Sequence, residues 1–196
     1  MFYAIRHGAT RWNAEGRFQG RSDIPLSREG RIQAEQCAQR LTELVRDGRV
    51  DGLPGAIVTS PLERAVATAE VACDVLGLPR LAIERDVRLR EAGFGSWEGL
   101  TTLEVKARFP EERRSRKQDR WGFAPPGGES FDDLAAAMQS FVSERAEDDP
   151  TLVVTHSGNM RVLLALYAGM ERTDAVRAPI GHDAIFACGL DGLRVL

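Results

Sequence analysis

Arginine, histidine and glycine stand together at the start of the chain, as Arg6-His7-Gly8 directly after the apolar run Phe2-Tyr3-Ala4-Ile5. Arg6 offers a planar fork of N–H donors matched to carboxylate or phosphate oxygens. His7 is a nucleophile or proton carrier whose ordinary pKa lies near neutral pH. Gly8 lets the backbone turn tightly or approach a ligand closely. Taken alone, the trio fits a surface loop as well as it fits chemistry on an oxyanion. Two further junctions decide between them. Ser60-Pro61-Leu62-Glu63-Arg64 follows the apolar run 55–59, and His156-Ser157-Gly158-Asn159 follows the run 151–155. A lone Arg64 in a first helical turn is ordinarily solvated, and a lone His156 ordinarily a satisfied core histidine. Their joint occurrence at strand ends points to one pocket, because parallel strands of an open α/β sheet deliver their carboxyl ends to a common edge. Two arginines and two histidines there, with helix N-termini aimed at them, favour a phosphate.

The elements that must position these residues alternate. After a polar stretch with room for one helical turn, Ser27 caps a helix whose stripe is Ala34, Cys37, Ala38, Leu41 and Val45, ending near Gly48. Ser60 with Glu63 reads as a capping box with Pro61 at the first helical position, and Leu62, Ala65, Ala69, Cys73 and Leu76 form the stripe before Gly77. Leu81-Ala82-Ile83 reads as a third strand. Thr101 with Glu104 opens a short helix that Pro110 ends, and the charged stretch 111–120 leads to Trp121. Ser130 with Asp133 starts a helix carrying Phe131, Leu134, Met138, Phe141 and Val142 inward. Residues 183–190 and 193–196 read as a closing hairpin around Asp191-Gly192. The expected fold is α/β, a three-layer α/β/α sandwich with a mostly parallel, mixed sheet. Residues 1–196 form a single domain with a short lid-like excursion at about 100–128.

Composition narrows the function. A net charge of -3 gives no overall attraction to nucleic acid or acidic membranes, and no run reaches the length of a membrane span. Glycines 93, 95 and 99 have GxGxxxG spacing outside a βαβ unit, which is not a dinucleotide loop. Cys37, Cys73 and Cys188 sit in apolar segments without paired spacing and read as buried thiols of a cytoplasmic protein. The three histidines lie far apart in sequence, so neither a metal nor another cofactor is expected. Apolar faces for a core and for a homodimer look alike in one sequence, and oligomeric state stays open.

Arg6-His7-Gly8-Ala9-Thr10 with Trp12-Asn13, then Gly16-Arg17-Phe18-Gln19-Gly20, resembles the histidine phosphatase superfamily, the phosphoglycerate mutase-like enzymes. Ser60–Ala69 is similar to that family's second arginine block, Glu91–Gly99 to its acid block, Gly127-Gly128-Glu129-Ser130 to a further segment, and Val154-Thr155-His156 to its second histidine block. The resemblance implies that His7 attacks phosphorus, that Arg6, Arg64 and His156 surround the phosphoryl oxygens, and that Asn13 adds a hydrogen bond. It implies Glu91 as proton donor and then base, with Gln19, Gly20 and the backbone of Ser157 beside the phosphate. Glu98 is a rival acid in a structural setting. His182, where many members have Asn, is expected at the pocket rim or in a structural role. The implied activity is hydrolysis of a small phosphomonoester. A cofactor-dependent phosphoglycerate mutase is the alternative on the same core, and a non-catalytic phosphate-binding module the alternative of another class. The cations between Arg108 and Arg120 read as a solvated helical face, with a lid for anionic substrates as the second reading.

Overall fold

The structure is a computed structural model that describes residues 1–144, 150–189 and 192–196. In chain order, β1 (Phe2–Arg6) leads through a one-turn helix α1 (Arg11–Ala14) to α2 (Arg28–Arg46), β2 (Ala56–Thr59) and α3 (Glu63–Leu76). Strand β3 (Ile83–Arg85) is followed by α4 (Thr102–Arg108), α5 (Pro110–Gln118) and α6 (Phe131–Ser143). Then come β4 (Thr151–Thr155), α7 (Ser157–Tyr167), a short α8 (Arg172–Ala175), β5 (Ile185–Gly189) and β6 (Gly192–Val195).

The six strands form one sheet in the order β3-β2-β4-β1-β5-β6. Strands β1 to β4 are mutually parallel, β5 is antiparallel to β1, and β6 returns antiparallel to β5. Alternation along β1 divides the core. Phe2 and Ala4 face one layer with Met138, Phe141, Met160 and Leu163 from α6 and α7. Tyr3 and Ile5 face the other with Cys37, Leu41, Ala65 and Ala69 from α2 and α3. This is the expected sandwich. The expected turn residue Asp191 lies outside the described residues.

Three local expectations are corrected. The first concerns α3, which begins at Glu63 with Leu62 as its N-cap and no side-chain cap of its own. Ser60 and Glu63 therefore form no capping box, and Pro61 precedes the helix. The Glu63 N–H is held instead by Asp23 Oδ1 at 2.6 Å, from a loop 40 residues earlier. The second concerns Leu81, which lies in a single 3-10 turn (Arg80–Ala82) and is 99% exposed. Pairing with β2 begins only at Ile83 opposite Ile57. The third is Pro110, which closes α4 and also opens α5 at its first turn, where its missing N–H costs nothing. The capping boxes of Thr101 with Glu104 and Ser130 with Asp133 form as expected.

Candidate active site

Parallel register brings the three strand ends level. Arg6 pairs with Thr155 and Thr59 with Val154, so His7, Ser60 and His156 leave the same sheet edge. The His7 N–H continues the ladder onto the Thr155 carbonyl at 2.9 Å. Beyond it the chain passes so close to α2 that a Cβ on Gly8 would overlap the Gly30 carbonyl, which makes glycine necessary there.

His7 is almost fully buried, and its Nδ1 lies 2.7 Å from the Gly8 carbonyl. A carbonyl only accepts, so Nδ1 carries the proton and Nε2 keeps its lone pair. Burial first, then the charges of Arg64 and Arg6, hold the imidazole pKa well below its usual value. His7 is therefore a neutral imidazole at pH 7 with a free nucleophilic nitrogen. His156, fully buried, is pushed the same way by burial, Arg64 and His7, and the two ring centroids are 5.0 Å apart.

The cations are fixed by main-chain carbonyls rather than by acids. Arg64 has no exposed surface and donates from Nη1 to Ser22 O at 2.8 Å and from Nη2 to Gly20 O at 2.7 Å. Arg6 donates from Nη1 to Ile180 O at 2.7 Å, and burial lowers its pKa to about 10. Among the described residues, the buried Nε–H of each guanidinium and the buried Nδ1 of His156 have no partner. Buried polar atoms left unpaired are rare, and these three belong to residues that act on His7 through charge or ring contact.

Glu91 follows a 3-10 turn (Val87–Leu89) and is 9% exposed. Its carboxylate accepts from the N–H of Ala92 at 3.1 Å and of Gly158 at 3.2 Å, the latter in the first turn of α7. A Cβ on Gly158 would overlap Glu91 Oε1, so the acid and the helix start are fitted to one another. Asn159 secures the approach: its side-chain NH2 donates to the carbonyls of Leu89 at 2.9 Å and Arg90 at 2.8 Å. Glu98, by contrast, accepts from the N–H groups of Phe94, Arg21 and Ser22 and from the Ser22 hydroxyl, and is spent on structure.

Arg6, His7, Asn13, Gln19, Gly20, Arg64, Glu91 and Ser157 all line one cleft of about 190 Å³. Thr10 occupies the carboxamide oxygens of Asn13 and Gln19, which leaves their NH2 groups for a ligand. His182 lies at the side of the site, with Nδ1–H donating to the His7 carbonyl at 2.6 Å and its ring edge-on to His7. A second hollow of about 210 Å³, bounded by Arg21, Arg88, Glu129 and Asp133, has no nucleophile in its wall.

Arg116 of α5 and Arg120 just beyond it line the cleft, which fits the second reading of this stretch, a lid for anionic substrates, better than the solvated face put first. Arg161, which joins them from the second turn of α7, was not among the sequence candidates. The available signal was its spacing, four residues after Ser157 on one helical face.

A description of the histidine phosphatase superfamily (branch 1) matches residues 2–191. A glucosyl-3-phosphoglycerate phosphatase of Mycolicibacterium vanbaalenii is 37% identical over 177 residues, 85% of this chain and 73% of that protein. A 2,3-bisphosphoglycerate-dependent phosphoglycerate mutase of Brucella melitensis is 30% identical over 172 residues, 85% of this chain and 80% of that one. Among solved structures, a mycobacterial glucosyl-3-phosphoglycerate phosphatase in complex with VO3 superposes with a TM-score of 0.78 at 29% identity, covering 100% of this chain and 95% of that one. The match takes in all three strand ends and the acid loop, and the chain belongs to the histidine phosphatase superfamily.

Proposed function

We propose that this phosphomonoester hydrolase works through a phosphohistidine on His7, and the observation that carries the reading is the state of that residue. It is buried and neutral, its proton is fixed at Nδ1 by Gly8, and Nε2 is free at the wall of the cleft. In the first step Nε2 bonds to phosphorus as the ester P–O bond breaks, and a protonated Glu91 gives its proton to the leaving oxygen. In the second step water attacks phosphorus, Glu91 takes its proton, and the N–P bond breaks to release inorganic phosphate. Covalent capture divides one difficult displacement into two. The buried donors of Arg6, Arg64 and His156, with the NH2 of Asn13, meet the charge that builds on the equatorial oxygens.

The rest of the cleft suits a small organic moiety, with Phe18, Phe94 and Phe131 along its wall. The substrate is a small phosphorylated metabolite of the phosphoglycerate-derived kind that the mycobacterial relative's name describes. Three buried free thiols suit a reducing compartment, the cytoplasm, and among the described residues no helix is long and apolar enough to cross a membrane.

Release of inorganic phosphate from a panel of phosphomonoesters, with His7→Ala as control, tests the reading. Turnover lost in the variant, together with an acid-labile phosphoenzyme trapped in the native protein, is the expected result. Conversion of 3-phosphoglycerate to 2-phosphoglycerate without net phosphate release overturns it.

A further inference from the structure

Each main-chain N–H and C=O from His7 to Ala9 has a partner, and the partners are not alike. The His7 N–H donates to the Thr155 carbonyl at 2.9 Å, and the His7 carbonyl accepts from His182 Nδ1 at 2.6 Å. The Gly8 N–H donates to Thr68 Oγ1 at 3.1 Å. The Gly8 carbonyl accepts from His7 Nδ1 at 2.7 Å, the bond that fixes the tautomer of the nucleophile. The N–H of that same peptide unit belongs to Ala9, and it donates to Gln33 Oε1 at 2.9 Å. Gln33 does not line the cleft, yet it holds the other end of the amide that meets His7.

Two features give this bond more weight than an ordinary loop contact. The first is the glycine. Gly8 is required by the close passage of α2, and a peptide unit beside a glycine turns more freely than one between two substituted residues. If the Gly8–Ala9 peptide turns, its carbonyl leaves Nδ1 and the His7 proton can move to Nε2. The lone pair that attacks phosphorus is then lost. The second is polarisation. An amide whose N–H is hydrogen-bonded is a better acceptor at its carbonyl. The Gln33 carbonyl, the Gly8–Ala9 amide and His7 Nδ1–H therefore form a chain in which each bond strengthens the next.

The start of α2 is shaped for this grip. Ser27, Gly30 and Gln33 stand three residues apart along one side of it. Ser27 meets the Ala9 carbonyl with its N–H at 2.9 Å and its hydroxyl at 3.0 Å. Gly30 lets the loop approach, since a Cβ there would overlap Ala9 O. Gln33 takes the N–H.

We propose that Gln33 is a positioning residue for the nucleophile: by accepting from the Ala9 N–H it keeps the Gly8 carbonyl on His7 Nδ1, and so keeps Nε2 unprotonated for attack. The inference rests on the hydrolase reading for the use of that nitrogen, and not for the tautomer itself.

The chain has three histidines, so ¹⁵N-histidine labelling resolves each imidazole, and His7 is identified by its loss in His7→Ala. At neutral pH the native His7 should show a protonated Nδ1 and an unprotonated Nε2. In Gln33→Met both signals should move toward intermediate values as the second tautomer is populated. The same variant should lose about tenfold in kcat with KM little changed, well short of the ~10⁴-fold loss when a catalytic histidine is held in the wrong tautomer. Gln33→Ala carries the same expectation with a smaller side chain. Gln33→Glu keeps an acceptor oxygen at the same reach and should restore both readouts. Ser27→Ala loosens the same loop at the next peptide unit, and should lower Tm without moving the His7 nitrogens. Unchanged His7 nitrogens in Gln33→Met overturn the proposal whatever the rate does, and so do nitrogens that move equally in Ser27→Ala. The spectra need no substrate, which keeps the two readings apart. A tautomer lost in Gln33→Met, in a protein whose native form releases no phosphate, removes the hydrolase alone. Hydrolysis with unmoved nitrogens removes the role of Gln33 alone.

Discussion

The Ser60 hydroxyl lies 2.8 Å from Nε2 of His156, inside hydrogen-bonding distance of the second histidine. Ser60 Oγ accepts from the Leu62 N–H at 3.3 Å, and an O–H donated to Nε2 would complete its hydrogen bonding. In that arrangement a neutral His156 carries its proton at Nδ1, which no group among the described residues meets. Ser60→Ala should release the tautomer and lower kcat by roughly 10- to 100-fold, less than the ~10²–10³ seen when an oxyanion donor is removed outright. Ser60→Thr should restore most of the rate. A Ser60→Ala enzyme with native kcat would mean that His156 takes its tautomer from elsewhere.

The contact between Gly158 and Glu91 makes a second outcome specific. Glu91→Gln should slow hydrolysis of alkyl phosphates by about 10²–10⁴-fold, the usual contribution of a positioned acid. Gly158→Ala should act in the same direction, because its Cβ would displace the Glu91 carboxylate. For p-nitrophenyl phosphate, whose leaving group needs no proton, both variants should lose much less. Equal losses on both substrate types would place the damage in phosphate binding instead of proton transfer.

The part of the site around His7 was legible because it is local. Arg6-His7, Ser60 to Arg64 and His156-Ser157 each sit within five residues of a strand end, and parallel register alone makes them meet. The two sides of the core followed from alternation in β1 and helical spacing in α2, α3 and α6, although in α2 Leu44 is the buried residue where Val45 was expected. What escaped was non-local. Arg116 belongs to a charged stretch with almost no apolar periodicity, so nothing in its spacing reveals that Phe18 and Trp97 receive it. Ser60 carried the right signal for a cap and the wrong partner, because a buried histidine 96 residues away takes its hydroxyl.

The cap that α3 does have comes from a distance, and that is measurable. Asp23 Oδ1 accepts from the Glu63 N–H at 2.6 Å, satisfying a free donor of the helix start. Asp23→Ala should cost about 1 kcal/mol, read as a fall of about 2–4 °C in Tm for a chain of this size. Asp23→Asn, which keeps the acceptor oxygen, should recover much of it. No change in either variant would show that water serves this N–H equally well.

Burial of His7 and His156 ties stability to pH, with a definite sign. Both imidazoles have pKa values below the unfolded value in the folded chain, so the unfolded state binds more protons once the pH drops beneath about 6.5. Folding stability is then complete above that value and declines as the pH falls toward the depressed folded pKa. The slope has a ceiling of about 1.4 kcal/mol per pH unit for each histidine. Urea midpoints should therefore be level between pH 8 and 7 and fall between pH 6.5 and 5, a window above the ordinary range of carboxylates. His156→Asn should flatten part of that slope, and His7→Asn another part. The acidic limb of kcat/KM should also lie below the ordinary histidine range, because the depressed His7 stays neutral and nucleophilic there. Midpoints that do not move down to pH 5, or that fall equally in both variants, would show that these two imidazoles are not the proton-linked groups.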